Sequence, residues 1–308
     1  MPRLCMDVAW LDLDLSMYPS FVSSLYSYAE PGRWIKILGY GRGHVLVKRG
    51  PLLCCEGPGC GTEMLHYLSG RWCLDVCRRG LLSRALPLRE YYPGLVVAAA
   101  PPRDRLLVAA AVVLSWRTRY GSNVRRWMRI LFDEVVDEET GEIDLEKAVE
   151  RAARLPSPQP RRLARLLPAL AKALEDLNDP AALRRKLLEL SGVGPKTADA
   201  ILLFTGISSA VAPGDVHLQR FAARVLGLER PRLATKDMCL RGGAWCLGCP
   251  LRGSCLQGRI VETYGGAAGL VQTIAYVYGS LGWKSWREDL SRVLERLYTS
   301  SGDTSPGR

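Results

Sequence analysis

Residues 180–206 read PAALRRKLLELSGVGPKTADAILLFTG. Two apolar-periodic segments flank a four-residue turn, so the stretch predicts helix, tight corner, helix. Gly192 and Gly194 permit backbone angles that other residues resist. Pro195 suits the first helical position, where no backbone N–H is needed. Such a turn exposes amide donors beside the positive end of a helix, and glycines let a phosphate come close. The candidate backbone-binding residues are Gly192, Val193, Gly194 and Thr197. A contact of this kind reads the backbone of a nucleic acid and not its sequence. The plain alternative is an ordinary helix–turn–helix corner.

Lys196 stands in the first turn of the second helix, against the helix dipole. If it is also partly buried, its pKa should fall, which makes it a candidate nucleophile able to form a Schiff base. A solvated lysine touching phosphate is the alternative. Nineteen residues later, in APGDVHLQRF, Asp215 is placed to cap the next helix. A capping carboxylate can also face a cleft as a fixed negative charge near a developing cation. His217 reads as a packing or phosphate-facing residue.

The chain has 308 residues and a formal charge of +11, which favours a polyanionic partner. Ten cysteines are present. Four of them, Cys239, Cys246, Cys249 and Cys255, follow Cys-x6-Cys-x2-Cys-x5-Cys. Four thiolates in one compact loop make a metal site, either iron–sulfur or zinc. Cys5, Cys54, Cys55, Cys60, Cys73 and Cys77 fit no pattern, and buried apolar packing is preferred for them over a disulfide or a second metal site. No apolar run is long enough to span a bilayer, and the N-terminus lacks the order of a signal peptide. A cytoplasmic, nucleoid-associated, prokaryotic protein acting as a monomer is expected. Two asparagines, Asn123 and Asn178, against abundant Arg and Leu hint at a thermophilic archaeon or a GC-rich genome.

The fold class expected is mostly α, α+β overall. Residues 1–80 read as a β-rich domain, with WIKILGY and HVLVKRG forming a hairpin around Gly41-Arg42-Gly43, and TEMLHYLSG as a short helix. Residues 81–235 read as helical, with a break near Gly121 in RDRLLVAAAVVLSWRTRYGSNVRRWMRILFDEVV and another at PSPQP. The cysteine loop covers 236–258, returning helices cover 259–297, and 298–308 has the composition of a disordered tail.

LSGVGPKTADA followed by GDVHLQRF resembles the signature of the helix-hairpin-helix DNA glycosylases, the endonuclease III superfamily. The resemblance implies that Lys196 attacks the sugar C1′ and that Asp215 is required for glycosidic cleavage. Members carrying the lysine also cut the strand by β-elimination, so a bifunctional glycosylase/AP lyase acting on damaged duplex DNA is implied. The cysteine spacing is similar to the [4Fe-4S] loop of endonuclease III and of the adenine glycosylase, which favours iron–sulfur over zinc at Cys239, Cys246, Cys249 and Cys255.

The chain departs from endonuclease III in having a helix after the cysteine loop. YGGAAGLVQTIAYVYGSLGW resembles the final barrel helix of the 8-oxoguanine and 3-methyladenine glycosylases. There Gln272 would read the purine edge and Tyr276 would stack on the base, against a core-packing alternative. In VVLSWRTRYGSNVRRW, Arg117 falls where the family fills the gap left by a flipped base. The implied lesion is 8-oxoguanine, with oxidised pyrimidine second and an alkylated or mismatched base behind it. A DNA-binding protein without chemistry and a zinc-stabilised module are the competing classes.

Overall fold

The structure, a computed structural model, describes residues 3–74, 91–175, 179–229 and 232–298. The tail 299–308, Asn178 and Cys77 lie outside the described residues.

Five strands form one antiparallel sheet: β1 (Arg3–Asp7), β2 (Tyr26–Glu30), β3 (Arg33–Lys36), β4 (Val45–Arg49) and β5 (Leu52–Glu56). Their order is β1-β5-β4-β3-β2. The expected hairpin is β3–β4, with Trp34 opposite Leu46. Gly41 in its loop has φ 69°, and a Cβ there would strike the Pro58 carbonyl, so this turn needs glycine twice over. The early cysteines correct the packing expectation. Cys5 and Cys54 face each other across β1 and β5 and are bonded, and Cys55 is bonded to Cys60. Register produces the first bond: directly opposed residues bring their Cβ atoms together. Cys73 is buried.

Helices α1 (Leu13–Met17) and α2 (Thr62–Leu68) flank the sheet. The helical part opens with α3 (Arg105–Leu114), a wholly buried apolar helix from Leu107 onward. It ends at Ser115, six residues before the glycine expected to break it. Arg117 turns the chain with φ 47°, a π-turn covers Tyr120–Val124, and α4 (Arg125–Phe132) follows. Gly121 instead serves packing, because a Cβ there would meet Leu297. After α5 (Leu145–Arg154), PSPQP starts a helix and does not merely interrupt one. Pro158 occupies the first turn of α6 (Pro158–Ala173), as its fixed φ allows.

The predicted hairpin is α7 (Pro180–Glu189), a turn and α8 (Pro195–Phe204). Next come α9 (Val216–Arg224), α10 (Lys236–Arg241), α11 (Leu256–Tyr264), α12 (Ala268–Leu281) and α13 (Trp286–Tyr298). One continuous core runs from Val8 in the sheet layer to Tyr298 at the end of α13. Trp34 of β3, fully buried, sets its ring edge-on to Tyr298 at 5.4 Å. No helix among the described residues is long and apolar enough to cross a membrane.

Candidate active site

Gly192 takes φ 83° in the hairpin turn, a conformation open to glycine. No side chain caps α8, so its N-terminal amides are left to the turn and to any anion that meets it. Val193 is buried beneath the turn, while Gly192 is exposed and Gly194 and Thr197 are half-exposed. Two cationic side chains hold the turn's carbonyls. Lys236 Nζ donates to Leu190 O at 2.8 Å, and Arg162 Nη2 donates to Gly192 O.

Lys196 Nζ lies 3.8 Å from Asp215 Oδ2. Asp215 caps α9 as predicted, its Oδ1 accepting from Leu218 N at 2.9 Å. One oxygen therefore holds the helix and the other faces the lysine. The Lys196 side chain is 60% exposed, so the partial burial that sequence reasoning required of it is absent. What remains is proximity: an amine beside a buried carboxylate, one residue after the hairpin turn's Pro195.

The helix α12 packs against α9. His217, two residues after Asp215, sets its ring 5.2 Å from Tyr276, edge to face. Its Nδ1 is buried with no partner among the described residues. Gly279 makes this approach possible, since a Cβ there would collide with the His217 ring. Tyr276 also meets Tyr18 at 6.0 Å, and burial pushes its hydroxyl well above the ordinary range. Gln272, one turn earlier, is 5% exposed and its Oε1 has no partner among the described residues. A buried amide oxygen left without a donor is rare enough to suggest an acceptor kept for a ligand. α9 and α12 thus bring His217, two residues after Asp215, against Tyr276, one turn from Gln272. Arg117 stands apart from them, exposed, its guanidinium 5.1 Å from the Trp116 ring.

Cys239, Cys246, Cys249 and Cys255 line one small cavity together with Arg184, Trp245 and Arg252. Among the described residues no three His, Cys, Asp or Glu side chains gather as ligands of a single ion. Four cysteine thiols on one cavity are a donor set of the kind that holds an iron–sulfur cluster or a zinc ion. Burial pushes the thiols of Cys239, Cys246 and Cys255 up, and a bound metal centre reverses that. Gly242 leaves room for Cys249, whose sulfur would touch a Cβ at that position.

Sequence reasoning missed one residue here. Arg184 of α7 is 1% exposed. Its Nε pairs with Asp199 Oδ1 of α8 at 2.6 Å, Nη1 donates to Ala244 O at 2.6 Å, and Nη2 lies 3.8 Å from Cys239 Sγ. One guanidinium joins both arms of the hairpin to the cysteine loop. The signal available was Asp199, a lone acid in the apolar run TADAILLF.

No protein-family model and no curated protein sequence matches the chain. Solved structures do. MBOgg1 in complex with a low-affinity DNA ligand superposes with TM-score 0.63 at 15% identity, over 90% of this chain and 95% of that one. The apo 8-oxoguanine glycosylase/lyase of Clostridium acetobutylicum gives 0.61 at 15% identity, over 90% and 96%. The 3-methyladenine DNA-glycosylase of Archaeoglobus fulgidus gives 0.54 at 13% identity, over 90% and 98%. Across nearly its whole length the chain therefore has the fold of the 8-oxoguanine and 3-methyladenine DNA glycosylases.

Proposed function

We propose that the protein is a base-excision DNA glycosylase with AP lyase activity, working through a Schiff base on Lys196. The observation that carries this is the 3.8 Å approach of Lys196 Nζ to the helix-capping Asp215, beside the hairpin turn. The hairpin amides hold a backbone phosphate and the damaged nucleotide turns out of the duplex. The lysine amine forms a bond to C1′ as the bond from C1′ to the base nitrogen breaks, and the proton that the amine loses passes by way of Asp215 to the departing base. Asp215 accepts the proton that the amine gives up and offsets the positive charge that builds on the sugar. The aminal opens to an imine, loss of the C2′ proton expels the 3′ phosphate, and water then frees the lysine. A non-catalytic clamp would need the hairpin and would leave the Lys196–Asp215 pair without a task.

The Clostridium acetobutylicum 8-oxoguanine glycosylase/lyase is similar to this chain both in its apo form and with DNA carrying cytosine opposite 8-oxoguanine, and another similar structure is that of a 3-methyladenine DNA-glycosylase. Gln272 Oε1, without a partner among the described residues, can accept from an N–H at a base edge, and with the similarity to an 8-oxoguanine glycosylase/lyase this supports 8-oxoguanine as the lesion we propose. Cys239, Cys246, Cys249 and Cys255 would hold a [4Fe-4S] cluster, whose chemistry here is to pin the loop covering 239–255 beside the hairpin.

The test is incubation with duplexes each carrying one of 8-oxoguanine, thymine glycol, hypoxanthine or an abasic site, with borohydride present. A covalent complex on one lesion is expected, and Lys196→Gln should lower trapping at least 1000-fold, roughly the scale of losing a covalent nucleophile. Trapping that persists in Lys196→Gln would remove the lysine from its role. Cleavage of thymine glycol alone would replace the lesion and leave the chemistry standing.

A further inference from the structure

Arg162 of α6 is 9% exposed, yet its Nε and Nη1 have no hydrogen-bond partner among the described residues. Its third nitrogen holds the Gly192 carbonyl of the hairpin turn. No carboxylate pairs with it among the described residues, and burial together with Arg165 works against its charge. What covers it is an indole: the guanidinium carbon sits 5.0 Å from the centre of the Trp116 ring. A buried donor without an acceptor is costly, and more so when it is charged. The contact with the ring face of Trp116 offsets only part of that cost, since it supplies no hydrogen-bond acceptor to Nε or Nη1. The covered state therefore leaves Arg162 short of what an anion would give it.

The cover is poised to leave. Trp116 is 43% exposed, one of the few large apolar side chains left on the surface. Its main chain is held, because Gln159 Nε2 donates to Trp116 O at 3.2 Å. Its neighbour Arg117 sits at φ 47°, a left-handed region that non-glycine residues occupy under strain. A fixed backbone with a half-free aromatic ring suits a wedge that enters a base stack. On the other side of Arg162 lies the turn, whose carbonyls are already bonded to Arg162 and Lys236. The turn's positive side is left for the DNA backbone.

We propose that Trp116 is a lid over a second phosphate-binding group, and that its entry into duplex DNA releases Arg162 Nε and Nη1 to a backbone phosphate beside the hairpin. This rests on the DNA-binding part of the reading above and is independent of which base is removed. It joins two events that would otherwise be separate: the wedge cannot enter without completing the backbone clamp.

The experiment measures Kd against potassium chloride for a duplex containing a tetrahydrofuran abasic analogue, with wild type, Arg162→Met, Arg162→Lys and Trp116→Ala. Each phosphate contact contributes about 0.9 to the slope of log K against log salt. Arg162→Met is expected to lower that slope by roughly one contact, about 0.9. Trp116→Ala should bind about tenfold more weakly, with the wild-type slope, because the wedge is lost and the guanidinium is uncovered. Arg162→Lys keeps the charge without the planar fork and stands in if the Met variant does not fold. It should bind more weakly with a slope near wild type. An unchanged slope in Arg162→Met, or wild-type affinity in both Arg162 variants, would overturn the proposal and leave glycosylase function intact. Failure of the wild-type chain to bind any duplex would overturn both.

Discussion

At the scale of single residues, the site is made by close approaches that tolerate no extra atom. Gly279 lies inside α12, where alanine would ordinarily favour the helix by about 1 kcal/mol. Here the added methyl would collide with the His217 ring. The ring must swing or the helices must part, at about 1–3 kcal/mol. Gly279→Ala is therefore expected to lower the melting temperature against its helix propensity. It should also disturb the Tyr276–His217 contact while leaving Lys196 and Asp215 in place. Base release should fall more steeply than borohydride trapping on a pre-formed abasic site, which the two assays compared side by side will show. Local spacing made part of this legible: the hairpin glycines, Pro195 and the cap at Asp215 are each set by the three or four residues around them. Arg162 was not legible, because its meaning depends on Trp116 and Gly192, which lie 46 and 30 residues away in the chain. The exposure of Lys196 was not legible for the same reason, since burial is decided by what the rest of the chain brings alongside.

At the scale of elements, the hairpin and the cysteine loop behave as one piece because Arg184 bonds to both. Asp199 is fully buried and Arg184 supplies its only hydrogen bond among the described residues. Removing one member of such a pair costs roughly 3–5 kcal/mol, because the other charge is left stranded. Arg184→Met should therefore lower the melting temperature by several degrees and, with the proposed cluster in the cysteine loop, lower the iron found per chain, although no cysteine has changed. Adding Asp199→Leu should recover much of the stability, since a matched apolar pair is tolerated. The iron should stay low if Arg184 also anchors Cys239 and Ala244. Metal analysis and melting on the same preparations separate the two effects, and a full iron complement in Arg184→Met would count against the coupling. The strands show the opposite limit of legibility. Alternation in WIKILGY and HVLVKRG located β3 and β4, whereas the Cys5–Cys54 bond follows from a register between strands 49 residues apart. Closing a loop of that length restricts the unfolded chain by about 4 kcal/mol, against about 2 for the five-residue Cys55–Cys60 loop. The first bond thus dominates what oxidation contributes to the sheet.

At the scale of the whole molecule, the two ends of the chain meet at a buried cation. Arg125 of α4 is 4% exposed. It donates to Tyr26 O of β2 at 2.7 Å and to Leu297 O of α13 at 2.9 Å, and its guanidinium lies 4.2 Å from the Tyr298 ring centre. Ser27 adds a bond from β2 to Tyr298 O at 2.9 Å. Among the described residues the sheet thus shares one core with the helices, and Trp34 is buried against a helix about 260 residues further on. Sheet, central helices and last helix should unfold in a single transition, and most contacts that stabilise the sheet should form late in folding because they close so long a loop. Arg125→Met would leave the buried Tyr26 carbonyl and the part-buried Leu297 carbonyl without their donor, at about 1–3 kcal/mol for the buried one. The expected result in calorimetry is one peak in the wild type and one peak at lower temperature in Arg125→Met, with near-ultraviolet signals from sheet and helices lost together. If the variant instead melts in two steps, with an early transition confined to residues 3–74, the sheet is an independent unit and Arg125 is only its tether.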